Sequence, residues 1–218
     1  MYVSRRARAQ HPLARSPMKS IPERYKRKIT KEEINVLPLR RYTGEIRIVR
    51  DAEALESAVA HLRGERVLGF DTETRPTFRK GQLHLPSLVQ LASADVVYLF
   101  QLNWLPLGDE LASLLADPAI VKTGVAVRDD IRDLQKLHAF ADAGVVDLGE
   151  VARDLGLETH GLRNLAANFL DFRISKSAQC SNWSNRELAP HQVIYAATDA
   201  WVSREIHMRL GELGLVAI

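Results

Sequence analysis

The chain has 218 residues, 46% apolar and 26% charged, the composition of an ordinary globule and a length that suits one domain with extensions. No apolar run approaches the roughly 18 residues of a membrane helix, and the single cysteine, Cys180, excludes a disulfide framework and a thiolate-clustered metal site. The formal net charge of +3 conceals a split, because residues 1–41 carry 12 Lys/Arg against 3 Asp/Glu while the remainder is net acidic.

The first 41 residues form a basic arm, poor in large apolar residues and expected to be partly disordered, at least to about residue 30. It reads as a solvated tail, an electrostatic handle on nucleic acid, or an organelle presequence, since residues 1–22 contain arginine and no acid. One cysteine suits a reducing cytosol, so a cytoplasmic location is expected, with an organelle as the alternative.

From residue 42 to 218 strand and helix signals alternate. "EIRIV", "RVLGF", "SLVQLA" and "VVYLF" read as short buried strands, the last three spaced as in hairpins. Between the first two, "AEALESAVAHLR" is a strong helix former and Asp51 its N-cap. "LGDELASLLAD" predicts a helix, "IVKTGVAV" a strand and "DDIRDLQKLHAF" another helix. The region from "VVDLGEVARDLG" to "HGLRNLAANFL" reads as mostly helical, and a Ser/Asn/Lys-rich loop then leads into a long helix from about residue 190 to 213. Hairpins followed by alternating strands and helices imply an α/β domain with a mixed sheet.

The strand "VLGFDTETR" ends in two acids, Asp71 and Glu73, which point the same way because strand side chains alternate. Chance supplies roughly one Asp-x-Glu per chain of this composition, and Asp51-Ala-Glu53 is one, explained by helix capping. No helix-periodic run follows "DTETRP", so capping does not explain the second pair. In the final helix Tyr195, Asp199, Val202, Ile206 and Leu210 step by 4, 3, 4 and 4 along one stripe, so Asp199 continues an inward face. Either a basic residue answers its charge, or the first turns leave the core, or the site is functional. Of Asp129 and Asp130, the second borders the apolar face set by Val127, Ile131 and Leu134. Four carboxylates from separate segments are tolerable together only with cations, and hard divalent ions with oxygen ligands match them, above all magnesium or manganese. Two such ions stabilise the attacking and leaving oxygens of a phosphoryl displacement.

"FDTET", "GVAVRDD" and "YAATD" resemble, in order, the three motifs of the DEDDy 3′→5′ exonucleases, relatives of ribonuclease D and the Werner-type exonuclease domain, over roughly residues 45–213. "SKSAQCSNW" is similar to the loop that precedes their third motif. The resemblance implies a single ribonuclease H-like domain, a mixed β-sheet flanked by α-helices. It also implies hydrolysis of terminal phosphodiester bonds of DNA or RNA to nucleoside 5′-monophosphates, with two Mg²⁺ or Mn²⁺ ions. Asp71, Glu73 and Asp199 would hold the first ion; Asp71 would also bind the second, with Asp130 reaching it through water, and Tyr195 would orient the attacking water. Lys176, Ser181 and Trp183 are candidates for phosphate contact or base stacking, Trp183 equally for packing, and Arg75 for a phosphate ligand or charge-balancing partner. His138 and His160 read as structural or exposed. The implied partner is nucleic acid with a free 3′ end, single-stranded DNA or RNA and possibly short oligonucleotides, with no membrane and a homo-oligomer possible. The sequence leaves no length after Leu213 for the helical C-terminal domain of ribonuclease D. The alternative reading is a non-catalytic nucleic-acid-binding module on the same fold.

Overall fold

The computed structural model describes residues 21–77 and 81–218. Six strands form one sheet: β1 (Glu45–Val49), β2 (Val67–Thr74), β3 (Pro86–Ala92), β4 (Val96–Gln101), β5 (Val121–Gly124) and β6 (Val145–Asp147). Their order is β1-β4-β3-β2-β5-β6; β2-β3 and β3-β4 are antiparallel and the other pairs parallel. The two antiparallel pairs are those expected from the close spacing of their segments. β6 is a strand in a region read as helical. Three residues are too few to display a period of two, and Asp147 then caps the next helix by accepting from the Gly149 and Glu150 amides.

Both faces of the sheet are covered, which is why β3 and β4 are buried along their whole length. One face carries α3 (Ala52–Leu62), α4 (Asp109–Leu115) and α5 (Val127–Leu137), whose Leu55, Val59, Leu111, Leu114, Ile131 and Leu134 pack on Leu68, Phe70, Val89 and Leu91. The other carries α8 (Pro190–Glu212), which sets Ala196, Ala197 and Ala200 against Leu88, Val97 and Leu99. Each large aliphatic side chain so buried contributes about 1.5–3 kcal/mol. Around the far half of α8, α6 (Leu148–Asp154) and α7 (Leu162–Leu170) bury Leu148, Leu165 and Phe169 against Val202, Ile206 and Leu210.

Poor order to about residue 30 is not what residues 21–30 show. The arm holds two short helices, α1 (Glu23–Lys26) and α2 (Lys31–Val36), the second started by a reciprocal capping box between Thr30 and Glu33. Ile21, Tyr25 and Ile34 are buried, and Tyr25 stacks on Phe169 at 4.9 Å. Past α2 the backbone runs beside residue 173, with the Arg40 amide donating to the Arg173 carbonyl at 2.9 Å. Residues 1–20 of the arm lie outside the described residues.

Candidate active site

The pleat of β2 puts Gly69, Asp71 and Glu73 on the face that meets α8. A Cβ at Gly69 would collide with the carbonyl oxygen of Ala200, so the missing side chain is what allows the helix to lie this close to the strand. That approach carries Asp199, next to Ala200, down to the strand end. One carboxylate oxygen each from Asp71, Glu73 and Asp199 lie within 4.8 Å of one another.

Asp130 arrives from the opposite side of the strand. It sits in the first turn of α5, a helix entered through Ala126 in the left-handed region at φ 62°, and its Oδ1 accepts from the Thr72 hydroxyl at 2.7 Å. Its neighbour Asp129 is exposed and pairs with Arg132. The expected convergence of four carboxylates is therefore three in a tight group and a fourth held at its edge by Thr72.

Among the described residues no cation is paired with this group: none of the four acids makes an ion pair, and Asp199 Oδ1 is buried without a hydrogen-bond partner. Enclosure by protein, with Asp199, Asp130 and Glu73 adding repulsion, holds the Asp71 carboxyl well above its usual range. Burial and the charges of Asp199 and Asp130 push Glu73 up to about 9. Burial lifts Asp199 to about 7, against the pull of Tyr195 and Lys176. Burial also lifts Asp130 to about 6, against the pull of the Thr72 hydroxyl. Buried like charges made only of carboxylate oxygen and left uncompensated fit a hard divalent cation, and neither a soft metal nor an arginine clamp.

Tyr195 lies one helical turn before Asp199. Burial and the Asp199 charge raise its hydroxyl far above the ordinary tyrosine range, so it stays protonated. Trp183 packs against its ring at 5.9 Å and is 1% exposed. A base-stacking role for Trp183 is thereby corrected: no face of the indole is free, and its place is to fix the tyrosine. A cavity of ≈ 300 Å³ opens over the acids, and Lys176 lines it. Arg75 is exposed beyond the end of β2 and Ser181 half-buried in the loop, and neither is among the lining residues.

The wall also includes Thr72, Arg163, Gln179 and Ser203, which sequence reasoning missed. Thr72 carried a signal, because a residue between two same-face acids must point to the other face, where Asp130 is. Arg163 carried none: its Nη2 donates to Asn35 Oδ1 at 2.8 Å across 128 residues of sequence. His160 donates from Nε2 to the Leu157 carbonyl, and His138 lies beside Asp109, both away from the acids.

A family model described as 3′–5′ exonuclease matches residues 46–214. Among curated proteins, the mouse (Mus musculus) bifunctional 3′–5′ exonuclease/ATP-dependent helicase WRN is 35% identical over 159 residues, 68% of this chain but 11% of that protein's length. Among solved structures, the Aedes aegypti Nibbler EXO domain is 25% identical with a TM-score of 0.69, over 78% of this chain and 90% of that one. Trypanosoma brucei RNase D in complex with RNA U12 is 26% identical with a TM-score of 0.67, over 86% of this chain and 65% of that one. The match spans all three acid-bearing segments on a ribonuclease H-like sheet, and the chain belongs to the 3′–5′ exonuclease family.

Proposed function

We propose that this domain removes nucleotides from the 3′ end of single-stranded DNA or RNA, releasing nucleoside 5′-monophosphates, with two divalent cations, Mg²⁺ or Mn²⁺, held by its acids. The observation that carries the reading is the group of three enclosed, uncompensated carboxylates on the floor of an open cleft. Asp71, Glu73 and Asp199 would hold one ion, and Asp71 the other, with Asp130 reaching it through water. When bound, the cations neutralise the phosphate and lower the pKa of the attacking water.

The chain's own groups do the positioning. The Tyr195 hydroxyl, protonated and clamped by Trp183, holds a water beside Asp199. Thr72 fixes the Asp130 carboxylate toward the same centre. Lys176, exposed on the cleft wall and near enough to bias Asp199, meets a phosphate oxygen. The likeness to an RNase D crystallised with RNA supports nucleic acid as the substrate class.

The test uses 5′-labelled and 3′-labelled oligonucleotides with Mg²⁺ or Mn²⁺. The expected result is a ladder of shortening products that keep the 5′ label, abolished by chelator and by Asp71→Ala. Binding without product at any metal concentration supports a non-catalytic module instead.

A further inference from the structure

The cleft over the acids continues into two further cavities, and the arm walls both. On one side a cavity of ≈ 430 Å³ shares Ser175 and Tyr195 with the cleft and is closed by Leu39, Arg40 and Arg41. On the other a cavity of ≈ 250 Å³ shares Gly161, Arg163 and Lys176 with the cleft and is closed by Lys31, Ile34 and Asn35. Residues 31–41 precede the family match at 46–214, so these walls lie outside the matched exonuclease domain.

The arm is anchored where the chemistry is. The Tyr42 amide donates to Thr198 Oγ1 at 3.0 Å, the residue before Asp199, and Arg163 is tied to α2 through Asn35. Among the described residues the arm's Lys31, Arg40 and Arg41, and Lys176 on the cleft wall, make no ion pair. Such charges flanking an acidic centre suit a chain of phosphates that crosses it. The larger cavity also has apolar surface for bases in Leu39, 54% exposed, and Ile194. Past Arg40 and Arg41 it continues into a third cavity of ≈ 520 Å³ beside Tyr42 and Trp201, which gives room for more than one nucleotide.

We propose that the arm is part of the substrate groove, with Arg40 and Arg41 holding phosphates of the single strand upstream of the scissile bond and Lys31 closing the opposite end. The proposal rests on the exonuclease reading of the cleft. It makes the arm the determinant of a preference for oligonucleotides over dinucleotides.

The experiment uses the full chain and the double variants Arg40→Ala/Arg41→Ala and Arg40→Lys/Arg41→Lys. Binding of a labelled single strand of about twelve nucleotides is followed by anisotropy in EDTA between about 50 and 200 mM salt, and kcat/KM is measured with Mg²⁺ on the same strand and on a dinucleotide. The alanine pair is expected to weaken binding about tenfold and to flatten the slope of log affinity against log salt by about 1.4, the share of two single-strand phosphates. The lysine pair retains the slope, and the alanine pair loses more kcat/KM on the oligonucleotide than on the dinucleotide. Unchanged affinity and slope, or equal losses on both substrates, overturns the proposal. Because anisotropy in EDTA needs no turnover, a wild-type chain that binds as stated but yields no product sinks the exonuclease reading and supports the groove.

Discussion

Asp199 shows how a site can oppose the stability of its own fold. The residue is 7% exposed, its carboxyl has one oxygen without a partner, and it shares its pocket with Asp71 and Glu73. Acids whose folded-state pKa is raised contribute stability that is present below the unfolded value and lost as pH rises through the folded one. With Asp130 at about 6, Asp199 at about 7 and Glu73 at about 9, metal-free stability is expected to decline from about pH 4 to about pH 9. Asp199→Asn removes one of the repelling charges, so in chelator it should melt above wild type near pH 8, by about 1–2 kcal/mol, and decline less steeply. Its hydrolytic rate should fall about 10³-fold. Melts across pH with and without chelator check both halves, and a variant less stable than wild type near pH 8 contradicts the charge accounting. At this scale the acids were legible, because pleat and helical stripe fix direction. The burial of Trp183 was not, since a loop position says nothing of what α8 packs against it.

The juxtaposition of β2 and α8 depends on a residue that has no side chain. The strands β2 to β4 and both ends of α8 could be read from periodicity, and Gly69 stood in plain view within "VLGFD". Its purpose could not be read, since it depends on the Ala200 backbone, which lies far along the chain. The arm helices were hidden for a related reason: only Ile21, Tyr25 and Ile34 supply buried surface, scattered among charged residues. Gly69→Ala forces the helix off the strand or bends it. Overpacking of this kind costs about 1–3 kcal/mol, and the same shift moves Asp199 relative to Asp71. Activity should therefore fall by more than the loss of folded protein explains, a comparison made by assaying at a temperature where a denaturant curve shows the variant still folded. A variant with lowered stability and unaltered kcat would show that the approach serves packing alone.

For the whole molecule, the charge split acquires a structural meaning: residues 21–41, the described part of the basic arm, lie against an acidic body, beside the acidic cleft. Opposite charge does not attach this segment: the arm's ion pairs among the described residues, Lys26–Glu23 and Arg27–Glu33, lie within the arm itself, and exposed pairs are worth only about 0–1 kcal/mol each. The attachment is apolar at root. Tyr25, 5% exposed, stacks on Phe169 within the cluster that joins α6, α7 and α8, and its carbonyl accepts from Asn168. Tyr25→Ala is expected to lower unfolding free energy by about 3 kcal/mol in urea, as for other buried aromatics truncated to alanine. A solvated tail attached to an independent domain would lose less than about 0.5 kcal/mol from the same change. Loss of that anchor should also loosen α7, which carries Arg163 on the cleft wall, and so raise KM for oligonucleotides before it alters kcat. A Tyr25→Phe variant keeps the ring and should restore both values. If alanine at this position leaves the urea midpoint unmoved, the arm is an appendage, and the acidic body must bind its polyanion without it.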